Sequence, residues 1–372
     1  MKILALEPYY GGSHRAFIDG WKTSSRHDWT VIGLPAHKWK WRMRHAAVTM
    51  TDEVNALAAQ GVKWDVLFCS DMLNLTEFRG LADSRAAEIP AVAYFHENQL
   101  TYPVREEAER DLHFGFTNFT TALAARQVWF NSAFHRDSFL EALDGLLGRM
   151  PDHQMLDKVK SIRSKSQVRP QGINPIPLRG ERQAGPPKLL WVARWEHDKN
   201  PELFFAALQQ LVDRNIDFRV NVLGQSFGAC PEIFSSARSR LGSRIEHWGF
   251  LESREAYERV LGEADLVVST ANHEFFGVGI VEAVAAGAYP LLPNRLAYPE
   301  IFLPDKIEGA AGFFYDGSLD SLVGCLVSAI EKVNKGRLWG GDPYRAARAM
   351  DDYTWPRLAP VLDRALEDIA VR

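Results

Sequence analysis

Short apolar runs alternate with longer amphipathic stretches along most of the chain. Lys2–Leu6, Val66–Cys69, Ala91–Phe95 and Val128–Phe130 are compact runs that read as buried strands. Between them, Arg15–Lys22, Glu53–Ala59 and Leu112–Ala125 carry apolar residues at helical spacing. A regular switch between the two periods predicts parallel strands joined by crossover helices. The rhythm breaks at 168–187, where Val168-Arg169-Pro170-Gln171-Gly172-Ile173-Asn174-Pro175-Ile176-Pro177 and Gly185-Pro186-Pro187 concentrate turn-forming residues and read as an interdomain linker. It then resumes. Leu189–Val192, Arg219–Leu223, Leu266–Ser269 and Tyr289–Leu292 are the next strands, Pro201–Arg214 and Arg254–Leu261 the next helices, and a last helix spans Trp355–Ile369. The fold class expected is α/β, two Rossmann-like domains facing a central cleft: residues 1–172, then 186–350, then a terminal helix within 353–372.

Composition narrows the partners. A chain of 372 residues is long enough for two such cores. Its 43 basic and 47 acidic side chains give a net charge of −4, so any nucleic-acid contact must come from a local basic patch. Two such patches stand out, Lys38–Arg44 and Lys158–Arg169. Cys69, Cys230 and Cys325 are scattered without CxxC spacing and read as reduced packing residues, not a metal site. Met1–Leu6 enters a strand at once and lacks a signal-peptide pattern, and no apolar stretch reaches membrane-spanning length. A cytoplasmic location without a membrane span follows as the expectation.

The chemistry of the second half centres on Glu274-Phe275-Phe276-Gly277-Val278-Gly279-Ile280-Val281-Glu282-Ala283. This run follows a strand and opens a helix. Gly277 and Gly279 let backbone approach a ligand, and the free amides of a helix N-terminus suit a diphosphate. Glu274, before the helix, can accept bonds from sugar hydroxyls; Glu282, eight positions on, can reach a ribose. A second motif is Trp191-Val192-Ala193-Arg194-Trp195-Glu196-His197-Asp198-Lys199-Asn200-Pro201. It places Arg194 and Lys199 in one loop, with Pro201 at a helix start, as a diphosphate clamp. The bland alternative for both motifs is solvated surface charge.

In the first half, Gly11-Gly12 follows the first strand, where flexible backbone can approach donor phosphate or acceptor, and it is not GxGxxG. Ser13 is a candidate N-cap. His14 either lines the cleft or sits on the surface near a helix start. His96-Glu97-Asn98-Gln99 ends an apolar strand, and four polar side chains there are costly to bury unless they bind something or satisfy one another. The run is not HExxH, because position 100 is Leu, so a zinc-protease reading fails. If Lys38–Arg44 is extended, Lys38, Lys40, Arg42 and Arg44 face one way and Trp39, Trp41 and Met43 the other. Such a strip contacts phosphates and stacks on unpaired bases. Alternatively the tryptophans pack in the core.

Arg194…Lys199 with Glu274-x7-Glu282, and Gly224 in Val222-Leu223-Gly224, resemble the retaining two-domain glycosyltransferases of family 4, with the GT-B fold, over roughly residues 186–345. The resemblance implies that the second domain binds the nucleotide sugar through Gly224, Phe276, Gly277, Val278, Gly279 and Glu282 besides the two cations. It implies an acceptor on the first domain, no metal and no cofactor, and a last helix that returns to the first domain. The N-terminal motifs are more specific. Glu7-Pro8-Tyr9-Tyr10-Gly11-Gly12-Ser13-His14, Leu34–Arg42, Leu73–Glu77, Tyr94–Pro103 and Met150–His153 are similar to the tRNA-queuosine α-mannosyltransferases. That likeness implies GDP-mannose as donor and queuosine at the wobble position of aspartate tRNA as acceptor. It implies that His96 contacts the transferred sugar or holds the acceptor. Glu97 is then the residue to orient the hydroxyl or act as a base, with His96, Glu97 and Glu274 the catalytic set. Gly12 then serves the donor, and His14, Lys38–Arg44, Asn98 and Gln99 the acceptor. A lipid or glycan acceptor, with Trp39 and Trp41 facing a membrane or sugar, is the competing reading, and a binding module without catalysis a third.

Overall fold

The computed structural model describes residues 1–104, 110–226, 231–303, 307, 310–342 and 344–371; the reading of Cys230 lies outside them. The chain divides into two compact units, Met1–Gly172 with Trp355–Arg372, and Ile173–Thr354.

The first unit is built on six parallel strands: β1 (Lys2–Tyr10), β2 (Asp28–Pro35), β3 (Val66–Ser70), β4 (Ala91–Phe95), β5 (Gln127–Phe130) and β6 (Ser166–Val168), in the order β2-β1-β3-β4-β5-β6. Ile3, Leu4, Ala5 and Leu6 are all fully buried because helices cover both faces of the sheet. Alternate residues serve opposite layers. Leu4 and Leu6 pack with Ala46 and Met50 of helix α2 (Trp39–Ala59), and with Phe119 and Leu143. Ile3 and Ala5 pack with Phe17 and Trp21 of helix α1 (Gly12–Ser24), and with Trp355 and Leu362 of the terminal helix.

That terminal helix, Trp355–Val371, is locked by one carboxylate. Asp363, buried, accepts hydrogen bonds from Trp21 Nε1 (2.9 Å), Ser25 Oγ (2.8 Å) and the Arg26 amide (2.9 Å). At its start, Trp355 lies against Gly20, where a Cβ would come within 2.0 Å of the indole nitrogen. Gly20→Ala is therefore expected to displace the indole and destabilise the unit by about 1–3 kcal/mol, measurable as a lowered denaturation midpoint.

The second unit repeats the plan with β7 (Lys188–Val192), β8 (Arg219–Leu223), β9 (Ile245–Gly249), β10 (Leu266–Val268), β11 (Tyr289–Pro293) and β12 (Phe314–Tyr315), ordered β12-β11-β10-β7-β8-β9 and parallel throughout. Residues 173–185, expected as part of the interdomain linker, belong to this unit. Arg179 and Arg182 both bond to the buried Asp265 Oδ1, at 2.9 and 3.0 Å, and the Arg179 amide donates to Ala286 O. Two guanidinium groups on one carboxylate outweigh the local preference of Pro and Gly for loose chain.

In each sheet the strand order reverses once, between β1 and β3 in the first and between β7 and β10 in the second. Loops leaving the carboxyl ends of such neighbours diverge and open a crevice, the usual ligand position in open α/β sheets.

Candidate functional site

At the reversal in the second unit, the loop after β7 carries Arg194–Asn200 and the loop after β10 carries Ser269–Gly277. Two bonds tie them together, Asn272 N to Asp198 O (2.8 Å) and Thr270 Oγ1 to Lys199 O (2.9 Å). A short 3-10 turn, His197–Lys199, aims the lysine inward, and Asn200, at φ +49°, reverses the chain and caps the helix Pro201–Asp213. Lys199 is buried; its Nζ donates to His273 O (2.8 Å) and Glu274 Oε2 (3.3 Å) and lies 3.1 Å from Asp198 Oδ2. Burial works against its charge, but Glu274 and Asp198 outweigh burial and raise its pKa. The same contact acts on Glu274: burial favours the neutral acid, yet the charges of Lys199 and Arg194 hold the carboxyl below its ordinary range. His273 is pushed down to about 4 by burial and by Lys199, so it is neutral beside the pair. Arg194 is the outer cation, with its side chain 43% exposed and Nη2 3.5 Å from Glu196.

Glu274 stands just before the helix Val278–Ala285, whose N-cap is Gly277 at φ +86°. A Cβ there would lie 3.0 Å from the Tyr298 ring, so both the turn and the close approach require glycine. The first helical amides, Val278 and Gly279, have no intrahelical acceptor. Gly279 serves packing as well, since its Cβ would meet Val192 at 3.3 Å. Phe276 is buried with its ring edge toward Tyr353 (5.6 Å), so its side chain supports the loop. Gly224, at φ +153°, lies against β7's end: a Cβ would sit 1.8 Å from Ala193 O. Gly224→Ala is expected to push the Arg194 loop outward, which a raised KM for the donor with a smaller change in kcat would register. Glu282 is already engaged: Arg254 Nη1 donates to Oε1 (2.9 Å) and Tyr257 Oη to Oε2 (2.8 Å).

At the reversal in the first unit, the carboxyl ends of β1, β3 and β4 bring together Glu7, Asp71 and His96, and α1 adds His14. All four are buried. Glu7 Oε1 accepts from Tyr9 N and Ser70 Oγ, both at 2.9 Å, and lies 3.2 Å from His14 Nδ1. The rings of His14 and His96 stack with centroids 4.0 Å apart and planes inclined 33°. Burial opposes protonation of His14, but Glu7 overrides it and raises the pKa to about 9, with Asp71 and Glu97 adding to the effect. His96 goes the other way, well below the ordinary imidazole value, chiefly through burial, with His14 and His135 beside it adding to the effect. Asp71, whose Oδ1 accepts the His96 amide (2.9 Å), is pushed well up by burial and Glu97. Among the described residues, Glu7, His14 and His96 are the one group of three with metal-ligand atoms within 4.8 Å of one another.

Several expected roles change. Lys38–Arg44 is not extended. Lys38, at φ +52°, caps α2 and the rest forms its first turns. Arg42 and Met43 consequently point inward: Arg42 donates to Pro35 O (2.9 Å) and contacts His37 and His45, and Trp39 packs near Phe114 (5.3 Å). The face left outside carries Lys40, Trp41 at 62% exposure and Arg44. Helical periodicity brings Lys40 and Arg44 together and leaves Arg42 on the other side. Ser13 is not the cap of α1; Gly11 is. Gly12, at φ +52°, has open space around its Cα. Asn98 folds on itself, its Oδ1 accepting from Leu100 N (3.1 Å) and Thr101 N (2.9 Å), which makes it a turn-former. Gln99 Nε2 donates to Glu97 Oε1 (3.1 Å), and its amide to Asn118. In the second basic run Lys158, Lys160 and Arg163 are exposed on the helix Leu156–Lys165. Lys165 instead donates to Leu123 O and Ala125 O, and Arg169 bonds to Gln167.

Sequence reasoning missed Asp71, Asp198, Arg254 and Tyr257 as site residues, and took Glu7 only as part of a motif. A charged residue ending the apolar run Ile3–Leu6 was a readable signal for Glu7, and the position after β3 was one for Asp71. Arg254 and Tyr257 left no signal, because their role depends on a helix packing beside Glu282.

Comparison with known proteins gives the family and the fold. Residues 2–173 match the family described as tRNA-queuosine alpha-mannosyltransferase N-terminal, and residues 178–333 match glycosyl transferases group 1. The tRNA-queuosine alpha-mannosyltransferase of Drosophila melanogaster is 41% identical over 317 residues, covering 82% of each chain. A GDP-mannose-dependent alpha-(1-6)-phosphatidylinositol dimannoside mannosyltransferase of Mycobacterium tuberculosis is 27% identical over 190 residues, 50% of this chain and 46% of its own. Among solved structures, Anabaena HepE in complex with UDP superposes with a TM-score of 0.70 at 16% identity, covering 99% of this chain and 100% of that one. Sucrose-phosphate synthase from Thermosynechococcus elongatus superposes at 0.74 with 13% identity over 100% of both. The two six-stranded parallel sheets are thus the GT-B fold of glycosyltransferases. The chain belongs to the tRNA-queuosine α-mannosyltransferase family.

Proposed function

We propose that this protein moves mannose from GDP-mannose onto the queuosine base at the wobble position of an aspartate tRNA, in the cytoplasm, with retention of anomeric configuration and without a metal or cofactor. The observation that carries the reading is Lys199 held against Glu274 beside a helix opened by Gly277, with Arg194 at the rim. Cleavage of the bond between the anomeric carbon and the diphosphate builds negative charge on the leaving group. Here it meets Arg194, the Lys199 ammonium and the Val278 and Gly279 amides, which need no reorganisation when the charge appears. Lys199 is anchored by His273 O and Glu274, with Asp198 at 3.1 Å, and acts on the leaving group through its charge. Glu274 accepts from sugar hydroxyls through its remaining lone pairs. Glu282, fixed by Arg254 and Tyr257, accepts from the ribose. In the first unit, His96 orients the acceptor hydroxyl and Glu97 takes its proton as the hydroxyl oxygen bonds to the anomeric carbon, the bond from that carbon to the diphosphate breaks and GDP is released.

Mannose and a guanine nucleotide are supported by the Drosophila and Mycobacterium relatives. The tRNA acceptor is favoured over a lipid because the match to the queuosine-specific family spans the first unit, whereas the lipid-modifying relative covers half the chain. On α2, Lys40, Trp41 and Arg44 form a basic strip with an open aromatic face, suited to phosphates and a splayed base.

The test is incubation with GDP-mannose and tRNA with or without queuosine, followed by nucleoside mass analysis. A hexose-sized gain confined to queuosine is the expected result; no gain on queuosine, or transfer to a lipid extract instead, overturns the reading. A second expectation concerns the strip. Lys40→Ala/Arg44→Ala should weaken tRNA binding and flatten its salt dependence by about two phosphate contacts, while leaving the KM for GDP-mannose unchanged. Titration at several salt concentrations measures it.

A further inference from the structure

We propose that Glu7 and His14 form a buried ion pair whose task is to hold His96 in place and uncharged at the acceptor, so that both are positioning residues of the transfer reaction. The inference rests on the proposed reading of His96, and neither residue touches a substrate in it.

Four geometric observations support it. Glu7 and His14 come from different elements, the end of β1 and the first turn of α1, yet meet at 3.2 Å with no solvent access to the carboxylate. His14 Nδ1 lies beside Glu7 Oε1 and has no other polar partner among the described residues. The His14 ring is stacked on His96 at 4.0 Å, and Phe17 meets His96 edge-on at 5.2 Å, so His96 is gripped between them. Both ring nitrogens of His96 lack a partner among the described residues. A buried imidazole with two unsatisfied nitrogens is costly unless a ligand completes it. At the carboxyl end of β4, in the crevice, an acceptor hydroxyl or a sugar hydroxyl can do so.

The electrostatics follow from the neighbours. Around His14 stand Glu7 from β1, Asp71 after β3, and His96 and Glu97 after β4; around His96 stand His14, Asp71, Tyr94 and His135. Glu7 keeps His14 protonated to about pH 9. A cationic ring stacked on His96 disfavours a second proton there, in addition to burial. His96 thereby keeps one nitrogen able to accept a hydrogen bond from a hydroxyl, which an imidazolium cannot do. The sign is fixed by the raised value: the pair is present below the ordinary imidazole range and is lost as pH rises through about 9.

The test has two parts. Nitrogen-15 NMR of histidine-labelled full-length protein, without ligand, follows His14 from pH 6 to 10, the signal assigned by its loss in His14→Gln. The expected result is an imidazolium at pH 7 that titrates near 9, with a Glu7→Gln protein showing a neutral ring at pH 7. A neutral His14 in the wild type, or a titration that Glu7→Gln leaves in place, overturns the pair. The second part is the pH profile of transfer. The wild type should lose kcat above about pH 9, where the pair that holds the His96 ring in place is lost while His96 itself stays neutral. His14→Gln should lower kcat more than tenfold at pH 7, abolish that alkaline limb and leave the KM for GDP-mannose within twofold. If His14→Gln keeps the wild-type limb and kcat, the positioning role is wrong. Should Glu7→Gln fail to fold, the wild-type titration of His14 decides the first part and His14→Gln the second. A chain that shows the titration but transfers no sugar retains the pair and loses the function assigned to it.

Discussion

Lys199→Met is expected to lower kcat/KM by about 10²–10³-fold, the usual effect of removing one preorganised donor from a developing negative charge. The loss has two sources. The diphosphate loses a cation, and Glu274 and Asp198 lose the charge that offsets their own. Breaking one side of a buried ion pair costs about 3–5 kcal/mol of stability, so the second unit's unfolding transition should fall as well. Lys199→Arg keeps the charge but replaces a compact ammonium with a wide fork in a space that also holds His273 O and Asp198, and it is expected to restore little activity. The pair itself is insensitive to neutral pH. Glu274 is depressed, so its contribution is present above its unfolded value and lost only as pH falls below the ordinary carboxylate range; Lys199 is raised, so its contribution persists to beyond the ordinary lysine value. Initial rates and calorimetry on the two variants measure both effects.

Asp363→Ala should give the largest stability loss in the first unit, about 3 kcal/mol, or about 6–12 °C in the midpoint of its transition. Three donors converge on this carboxylate, and one of them, the Trp21 indole, is fully buried and cannot turn to water. The neighbouring pair Arg26–Glu367 joins the same two segments, but its side chains are 52% and 35% exposed. Solvent screening leaves such a pair with little weight, so Glu367→Ala should move the midpoint far less. Calorimetry of the two variants tests the ranking. Near-equal shifts would show that the terminal helix is held by its apolar face alone.

The contrast between these residues explains what could be read from the chain. Most strands were visible because both faces of each sheet are covered, which makes each strand an unbroken apolar run such as Ile3–Leu6. β2, β6, β9 and β12 were not, since edge strands expose one side and carry residues such as Asp28 and Glu246. The glycine-opened helix at Gly277 was legible from local chemistry: strand, polar loop, glycine, apolar helix. The Lys38–Arg44 strip was misread because its alternation of charge and tryptophan fits a strand, while the apolar positions that make α2 a helix, Met43, Ala46, Ala47 and Met50, begin only at its end. Asn98 and Gln99 looked like ligand groups, but their partners Thr101 and Glu97 sit close in sequence and close a turn. The Glu7–His14–His96 stack depends on three elements meeting, and no local pattern encodes that.

The most direct measurement is a crystal structure with GDP-mannose bound. It should seat the diphosphate against the Val278 and Gly279 amides, within reach of Arg194 and Lys199, with Glu274 on the mannose hydroxyls. A diphosphate bound away from the Gly277 turn, with Arg194 and Lys199 making no contact to it, would contradict the account at its root.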